Sequence, residues 1–198
     1  DKRAQILHRL FAKYNIENSE FDRYDRAISA LKLSCFDKLK KPATREAAAF
    51  LKFYKLYNSA LRAKNLIDYD DMLVYSVKIL ENNPEIAAFY ADLCGYIIED
   101  EAQDSSFIQQ KLINLLAQKH RNIIRCGDLN QSITSTFTNA DREGFEKFIN
   151  ESKSVKMSSS QRCNNAIFGL ANRLIDYAKN DSDLKNAFFD IKMQEVKG

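Results

Sequence analysis

Glycine and proline are scarce in this chain, with five Gly and two Pro among 198 residues. So few turn-forming residues argue against many tight hairpins and for long helices. No apolar run is long enough to span a membrane, and no signal-peptide pattern is present. Cys35, Cys94, Cys126 and Cys163 stand far apart, without the paired spacing of a zinc site or a redox dithiol. They read as reduced, mostly buried thiols of a cytoplasmic protein. An initiator Met is missing too: Asp1 already sits in a helical pattern, as expected of a piece of a longer chain.

What is present suffices for a core. Hydrophobic residues make up 45% of the chain, enough for one or two domains. Net charge is +3, but it is unevenly spread. Residues 1–64 hold 15 Lys and Arg against 7 Asp and Glu, and the remainder holds 15 against 20. A basic part joined to an acidic part suits a protein that meets a polyanion with one and Mg-nucleotide with the other. Ordinary helix-surface charge accounts for the same numbers.

The first ninety residues read as helices throughout. Ile6, Leu7, Leu10, Phe11 and Tyr14 have helical spacing over residues 1–14. Asn18-Ser19 with Asp22 resembles a capping arrangement for a second helix over 20–34. Pro42 ends a basic break, and Thr44 caps a long helix to about residue 64. That helix carries Ala47, Phe50, Leu51, Tyr54, Tyr57 and Leu61 on one broad face, a spacing that favours core packing over nucleotide stacking. Asp68 caps the next helix, with Asp71 in its first turn. Asn83-Pro84 restarts the chain into a short helix ending near Leu93.

From residue 93 onward strands alternate with helices. Tyr96-Ile97-Ile98 is a short apolar run after Gly95, the pattern of a strand buried in a parallel sheet. It leads into Glu99-Asp100-Glu101-Ala102-Gln103-Asp104, and Ser105 and Ser106 offer caps for a helix over 105–118. The apolar positions of that helix are Phe107, Ile108, Leu112, Ile113, Leu115 and Leu116. Residues 122–126 read as a second strand, followed by the polar loop Gly127-Asp128-Leu129-Asn130-Gln131-Ser132. Asp141 caps a helix to about Asn150, residues 154–157 form a weak third strand, and Gln161-Arg162 precede a helix over 164–179. The last nineteen residues hold at most a short helix. Strand–helix alternation implies right-handed parallel crossovers.

Three polar stretches thus fall at strand ends, where open α/β sheets place ligands. In one parallel sheet they would converge on one edge. Asp100 and Glu101 then divide two tasks: one carboxylate holds Mg²⁺ and the other orients or deprotonates an attacking water. A Gln amide and an Arg fork would add γ-phosphate contact and transition-state charge. An acidic turn at a helix N-terminus also has an electrostatic reason of its own.

These stretches resemble the motifs of the UvrD/Rep-like superfamily 1A DNA helicases. Asp100-Glu101-Ala102-Gln103-Asp104 looks like motif II, the DExQD form of Walker B. Gly127-Asp128-Leu129-Asn130-Gln131-Ser132-Ile133 resembles motif III. Gln161-Arg162, with Ile167 and Ala171-Asn172 downstream, resembles motif IV. Asp68-Tyr69-Asp70-Asp71-Met72-Leu73 is similar to the DFDDLL stretch closing the family's 1B region. The resemblance is close over about residues 65–175.

It implies a predominantly helical α/β fold with a partial RecA-like (P-loop NTPase) parallel sheet. Residues 1–92 would be a helical 1B-like subdomain. Residues 93–162 would be the C-terminal half of a RecA-like 1A domain, and 163–198 a helical segment leading to 2A. It also implies ATP and Mg²⁺ as cofactors and single-stranded DNA as partner. Asp100 would bind the metal and Glu101 would activate water. Gln103, Gln131 and Arg162 would contact ATP, with Gln131 sensing the γ-phosphate and Arg162 acting as an arginine finger. Phe137 would stack on a DNA base.

Departures from the family pattern are specific. Gln161 takes the place of the motif IV Tyr, the spacing to Phe137 is about one residue longer, and Glu99 stands where the family mostly has an apolar residue. No G-x-x-x-x-G-K-[ST] loop occurs, so this stretch alone is expected not to hydrolyse ATP. Two readings follow. The chain is part of an ATP-dependent DNA helicase, or it is a non-catalytic, helicase-derived nucleic-acid-binding or scaffolding module. Intact Asp100, Glu101, Gln131 and Arg162 favour the first; Gln161 favours the second.

Overall fold

A computed structural model describes residues 2–34, 44–136, 139–160, 162–184, 189 and 192–195, without the side chains of 133–136 and 195. The principal core is helical. Helix α1 (Lys2–Tyr14) buries Ile6, Leu7 and Phe11 against Ile28 of α2 (Phe21–Leu33) and Phe53, Tyr57 and Leu61 of α3 (Arg45–Arg62). Burial of side chains such as Leu7, Phe11 and Ile28 contributes about 1.5–3 kcal/mol each. Tyr24, Phe50 and Phe53 meet edge to face, so the α3 aromatics serve packing. Phe53, absent from the expected face, is among the most deeply placed of them.

Local rules explain the helix starts. The Thr44 hydroxyl accepts from the Ala47 N–H at 3.1 Å and begins α3. At α4 (Tyr69–Asn82), Asp68 and Asp71 form a reciprocal capping box. Pro84 opens α5 (Pro84–Leu93), a position where its missing N–H costs nothing. The expected cap on α2 is not formed: a 3-10 turn over Asn18–Glu20 feeds straight into the helix, and its first turn has no side-chain cap.

Behind these helices lies a small parallel sheet. Strand β1 (Ile97–Glu99) pairs with β2 (Ile123–Arg125), with Ile97 opposite Ile123 and Glu99 opposite Arg125. Helix α6 (Phe107–Ala117) is the crossover between them, begun by a Ser106–Gln109 capping box. It buries Ile108, Gln110 and Ala117, while the expected core residue Phe107 is 47% exposed. Helix α4 packs on both α2 and α6, and so joins the helical core to the strands. One expectation needs correcting here. The sheet is not buried on both faces, because Ile98 and Ile124 stand 71% and 50% exposed.

The third strand also differs. Residues 153–158 have no regular structure, and Val155 and Met157 are exposed. Pairing occurs instead at β3 (Ser159–Ser160), parallel to β4 (Gln194–Glu195), after α7 (Arg142–Glu151) and around α8 (Asn165–Asn180). Main-chain pairing from distant residues, not apolar content, sets this strand. Among the described residues the four strands form two separate two-stranded sheets, and not one. The described thiols are free, but Cys126 is exposed and Cys94 and Cys163 are half-buried, so none of the three is the buried thiol expected; Cys35 lies outside the described residues.

Candidate functional site

Asp100 and Glu101 emerge from the carboxyl end of β1, both exposed. Asp100 Oδ1 accepts from the Glu101 N–H at 3.0 Å, tightening the turn. Glu101 itself adopts a left-handed backbone, φ 51° and ψ 41°. Three other described non-glycine residues have positive φ: Asn15, Asn65 and Arg121, one, three and four residues past a helix end. There such a conformation is an ordinary terminator. At Glu101 it lies between a strand and a 3-10 turn over Ala102–Asp104, at a cost of order 1–3 kcal/mol. The neighbouring backbone compensates, since Cys126 N–H donates to Glu99 O and Ala102 N–H donates to Cys126 O, each at 2.8 Å.

Gln103 is 1% exposed and engaged at both ends of its amide. Its Nε2 donates to Glu101 Oε2 at 2.7 Å, and its Oε1 accepts from the Asp128 N–H at 3.1 Å. Room for it comes from Gly127. A Cβ there would lie 2.6 Å from Gln103 Oε1 and 3.0 Å from the Phe145 ring. Asp128 in turn receives the Gln131 side-chain amide at 3.1 Å and the Asn130 N–H at 2.9 Å. The structure therefore brings Glu101, Gln103, Asp128 and Gln131 into one hydrogen-bonded chain, with Asp100 at its head.

Glu99 points elsewhere. Its carboxylate pairs with the Arg125 guanidinium and accepts from Ser105 Oγ at 2.6 Å. So the carboxylate that departs from the family pattern is neutralised across the strands. Arg125 is 5% exposed, donates to Gln110 Oε1 at 3.2 Å, and lies 5.4 and 5.1 Å from the ring centroids of Phe145 and Phe148. Ion pairing and ring contacts offset much of the cost of burying that charge.

The remaining expected residues divide. Arg162 is exposed and follows β3, which is paired to β4; the single sheet edge expected to gather all three polar stretches is not formed among the described residues. Gln161 and Phe137 lie outside the described residues. Asp68, Asp70 and Asp71 prove to be buried or half-buried anchors. Lys32 Nζ lies 2.7 Å from Asp68 and 2.8 Å from Asp71, Tyr57 Oη donates to Asp68 at 2.7 Å, and Arg3 pairs with Asp25 and Asp70. Burial alone would raise the Asp68 carboxyl, but hydrogen bonds from Lys32, the Asp71 N–H and Tyr57 outweigh it and hold the pKa below the ordinary value. Burial and the bond to Asp68 push the Tyr57 hydroxyl up. A lysine four residues after the buried Ile28 was the available signal for this network.

The turn after β1, the loop after β2 and the helical block tied down by Asp68 and Asp71 contain the stretches that resemble helicase motifs. The family description "UvrD/REP helicase N-terminal domain" matches residues 1–153. The chain belongs to this family. It is 31% identical over 192 residues to the ATP-dependent DNA helicase PcrA of Staphylococcus aureus, covering 91% of this chain and 25% of that protein. Similarity to the ATP-dependent DNA helicase Rep of Buchnera aphidicola is 34% over 129 residues, 64% of this chain and 19% of that protein. The PcrA of Staphylococcus epidermidis is 32% identical over 184 residues, or 87% and 25%. The chain thus spans about a quarter or less of the length of these relatives. No helix among the described residues is long and apolar enough to cross a membrane.

Proposed function

We propose that this chain is part of an ATP-dependent DNA helicase motor that couples Mg-ATP hydrolysis to movement on single-stranded DNA. The observation that carries the reading is the Asp100–Glu101 turn at the end of β1, hydrogen-bonded through Gln103 to the Asp128–Gln131 loop after β2. In this reading residues 1–92 are the 1B-like part, 93–162 the second half of a RecA-like 1A domain, and 163–198 the path to 2A.

The donor set suits magnesium. Among the described residues no cluster of three or more His, Cys, Asp or Glu side chains forms a metal cage. Mg²⁺ is usually held by one or two carboxylates plus phosphate and water oxygens, so an exposed Asp100 fits it. Asp100 would hold the Mg²⁺ of Mg-ATP through its carboxylate, and the bound nucleotide would supply the phosphoryl group. Glu101, set apart from Asp100 by its left-handed backbone, would accept at its carboxylate the proton of the attacking water. Gln131 would read the γ-phosphate from the loop after β2, and Arg162 would stabilise transition-state charge. Phe137 stacks on a base of the bound strand.

The test is ATP turnover by the longest natural polypeptide containing this sequence, with and without single-stranded DNA. Turnover stimulated by DNA and reduced about 10²–10⁴-fold in Glu101→Gln is expected. A folded wild-type polypeptide with no turnover would instead support the non-catalytic binding module that Gln161 favours. The chain taken alone, lacking a phosphate-cradling loop, is expected to show none.

A second expectation concerns DNA. Arg9 and Lys13 on α1 and Lys52, Lys55 and Arg62 on α3 are exposed. Binding of a fluorescent single-stranded oligonucleotide to this chain should weaken on the order of tenfold between 50 and 200 mM salt, as for about three phosphate contacts. Salt-independent binding would remove the basic helices from the interface.

A further inference from the structure

We infer that Gln103 is a positioning residue that ties the orientation of the Glu101 carboxylate to the state of the motif III loop. This rests on the motor reading above, and assigns Gln103 a task other than touching nucleotide. Three observations carry it. The side chain is 1% exposed, so little of it faces a ligand. Both atoms of its amide are used, the donor on Glu101 Oε2 and the acceptor on the Asp128 N–H. The residue it touches next door, Gly127, has no space for a Cβ, so the amide sits in a fitted slot between the two loops.

The physical consequence is directional. Glu101 is in a strained left-handed turn and is exposed, so its carboxylate would otherwise sample several rotamers. One hydrogen bond at 2.7 Å from a buried, immobile amide selects one of them. The same amide is bound to the N–H of Asp128, whose carboxylate holds Gln131. A shift of the Asp128–Gln131 loop must therefore move the Gln103 amide or break one of its bonds. Either event changes where the Glu101 oxygen stands relative to its water. Misplacement by about 1 Å costs an enzyme on the order of 10²-fold.

The experiment uses the longest natural polypeptide that contains this sequence. Gln103→Met keeps the side-chain length and removes both hydrogen bonds. It should lower DNA-stimulated kcat about 10–100-fold, leave KM for ATP within about twofold, and reduce the ratio of stimulated to basal turnover. Gln103→Glu is the second variant. It keeps an acceptor for the Asp128 N–H but replaces the donor to Glu101 with a carboxylate, so kcat should fall at least as far as in Gln103→Met while KM for ATP stays within about twofold. A raised KM with kcat preserved would overturn the inference, because Gln103 would then be a nucleotide contact. Unchanged kcat in a folded Gln103→Met or Gln103→Glu protein would overturn it too. A folded wild type without turnover would remove the motor reading, and the inference with it.

Discussion

Replacing Lys32 with Met is expected to destabilise the chain by about 3–5 kcal/mol. The ammonium is 2% exposed and faces two carboxylates, Asp68 and Asp71, themselves 4% and 9% exposed. Met reproduces the aliphatic stem but leaves those charges buried without the cation between them. Arg3 reaches Asp68 at 3.5 Å and softens the loss there, so Asp71 bears most of it. Urea unfolding of the two proteins measures the difference. A loss below about 1 kcal/mol would mean that Asp71 finds water in the variant, and that the network is not closed.

The pH dependence has a definite sign. In the wild type the Asp68 carboxyl is held below its ordinary pKa. Its stabilising contribution is therefore complete above the unfolded-state value and disappears as pH falls through the folded one. In Lys32→Met the strongest hydrogen bond that lowers Asp68 is gone, so less of this contribution remains to be lost in acid. The stability gap between the two proteins should narrow as pH falls below about 4. A gap that widens would show that the carboxylates were not the source of the loss.

The second large effect is expected across the strands. Glu99→Val and Arg125→Val should each cost about 3–5 kcal/mol, because each strands one buried charge of the pair. Glu99→Val should be the worse of the two, since it strands a guanidinium whose Nη2 is already buried with no hydrogen-bond partner among the described residues. The double variant should recover most of the loss, two valines being well suited to adjacent parallel strands. Its unfolding midpoint decides the matter. A double variant as unstable as the sum of the singles would show that the pair acts separately, through Ser105 and the phenyl rings, and not as a unit.

How much of this was visible beforehand follows from the range of the interactions. Asp68 as a cap, Asp141 as a cap (its Oδ1 accepts from Gly144 N–H at 3.0 Å) and Asn164 before α8 depend on neighbours three residues away. Spacing in the chain reveals such contacts. The Asp100–Glu101 turn and the Asp128–Gln131 loop were likewise legible as paired strand ends, because β1 and β2 carry short apolar runs bounded by polar residues. Lys32 was missed since its partners are 36 and 39 positions away, although its place beside Ile28 on a packing face was a clue. The third strand was misplaced for a different reason. Val155 and Met157 look like strand residues, yet Ser159 and Ser160 are paired, through backbone groups that every sequence possesses. The Gln103–Gly127 fit could not be read at all, as it depends on a close approach of two loops 24 positions apart.

Two asparagines, one on each side of β3 in the chain, hold the segment that leads to β4. Asn130 donates to Phe189 O at 3.0 Å and accepts from Phe189 N–H at 2.7 Å. Asn172, on α8, grips Met193 in the same two-bonded way, at 2.8 and 3.1 Å. Four peptide links separate the two gripped residues, so the chain between them has a contour length of about 14 Å at full stretch. It is a leash. While both grips hold, the loop bearing Asn130 and α8 cannot part at their anchor points by more than that length. Any larger opening between them has to begin with an asparagine letting go.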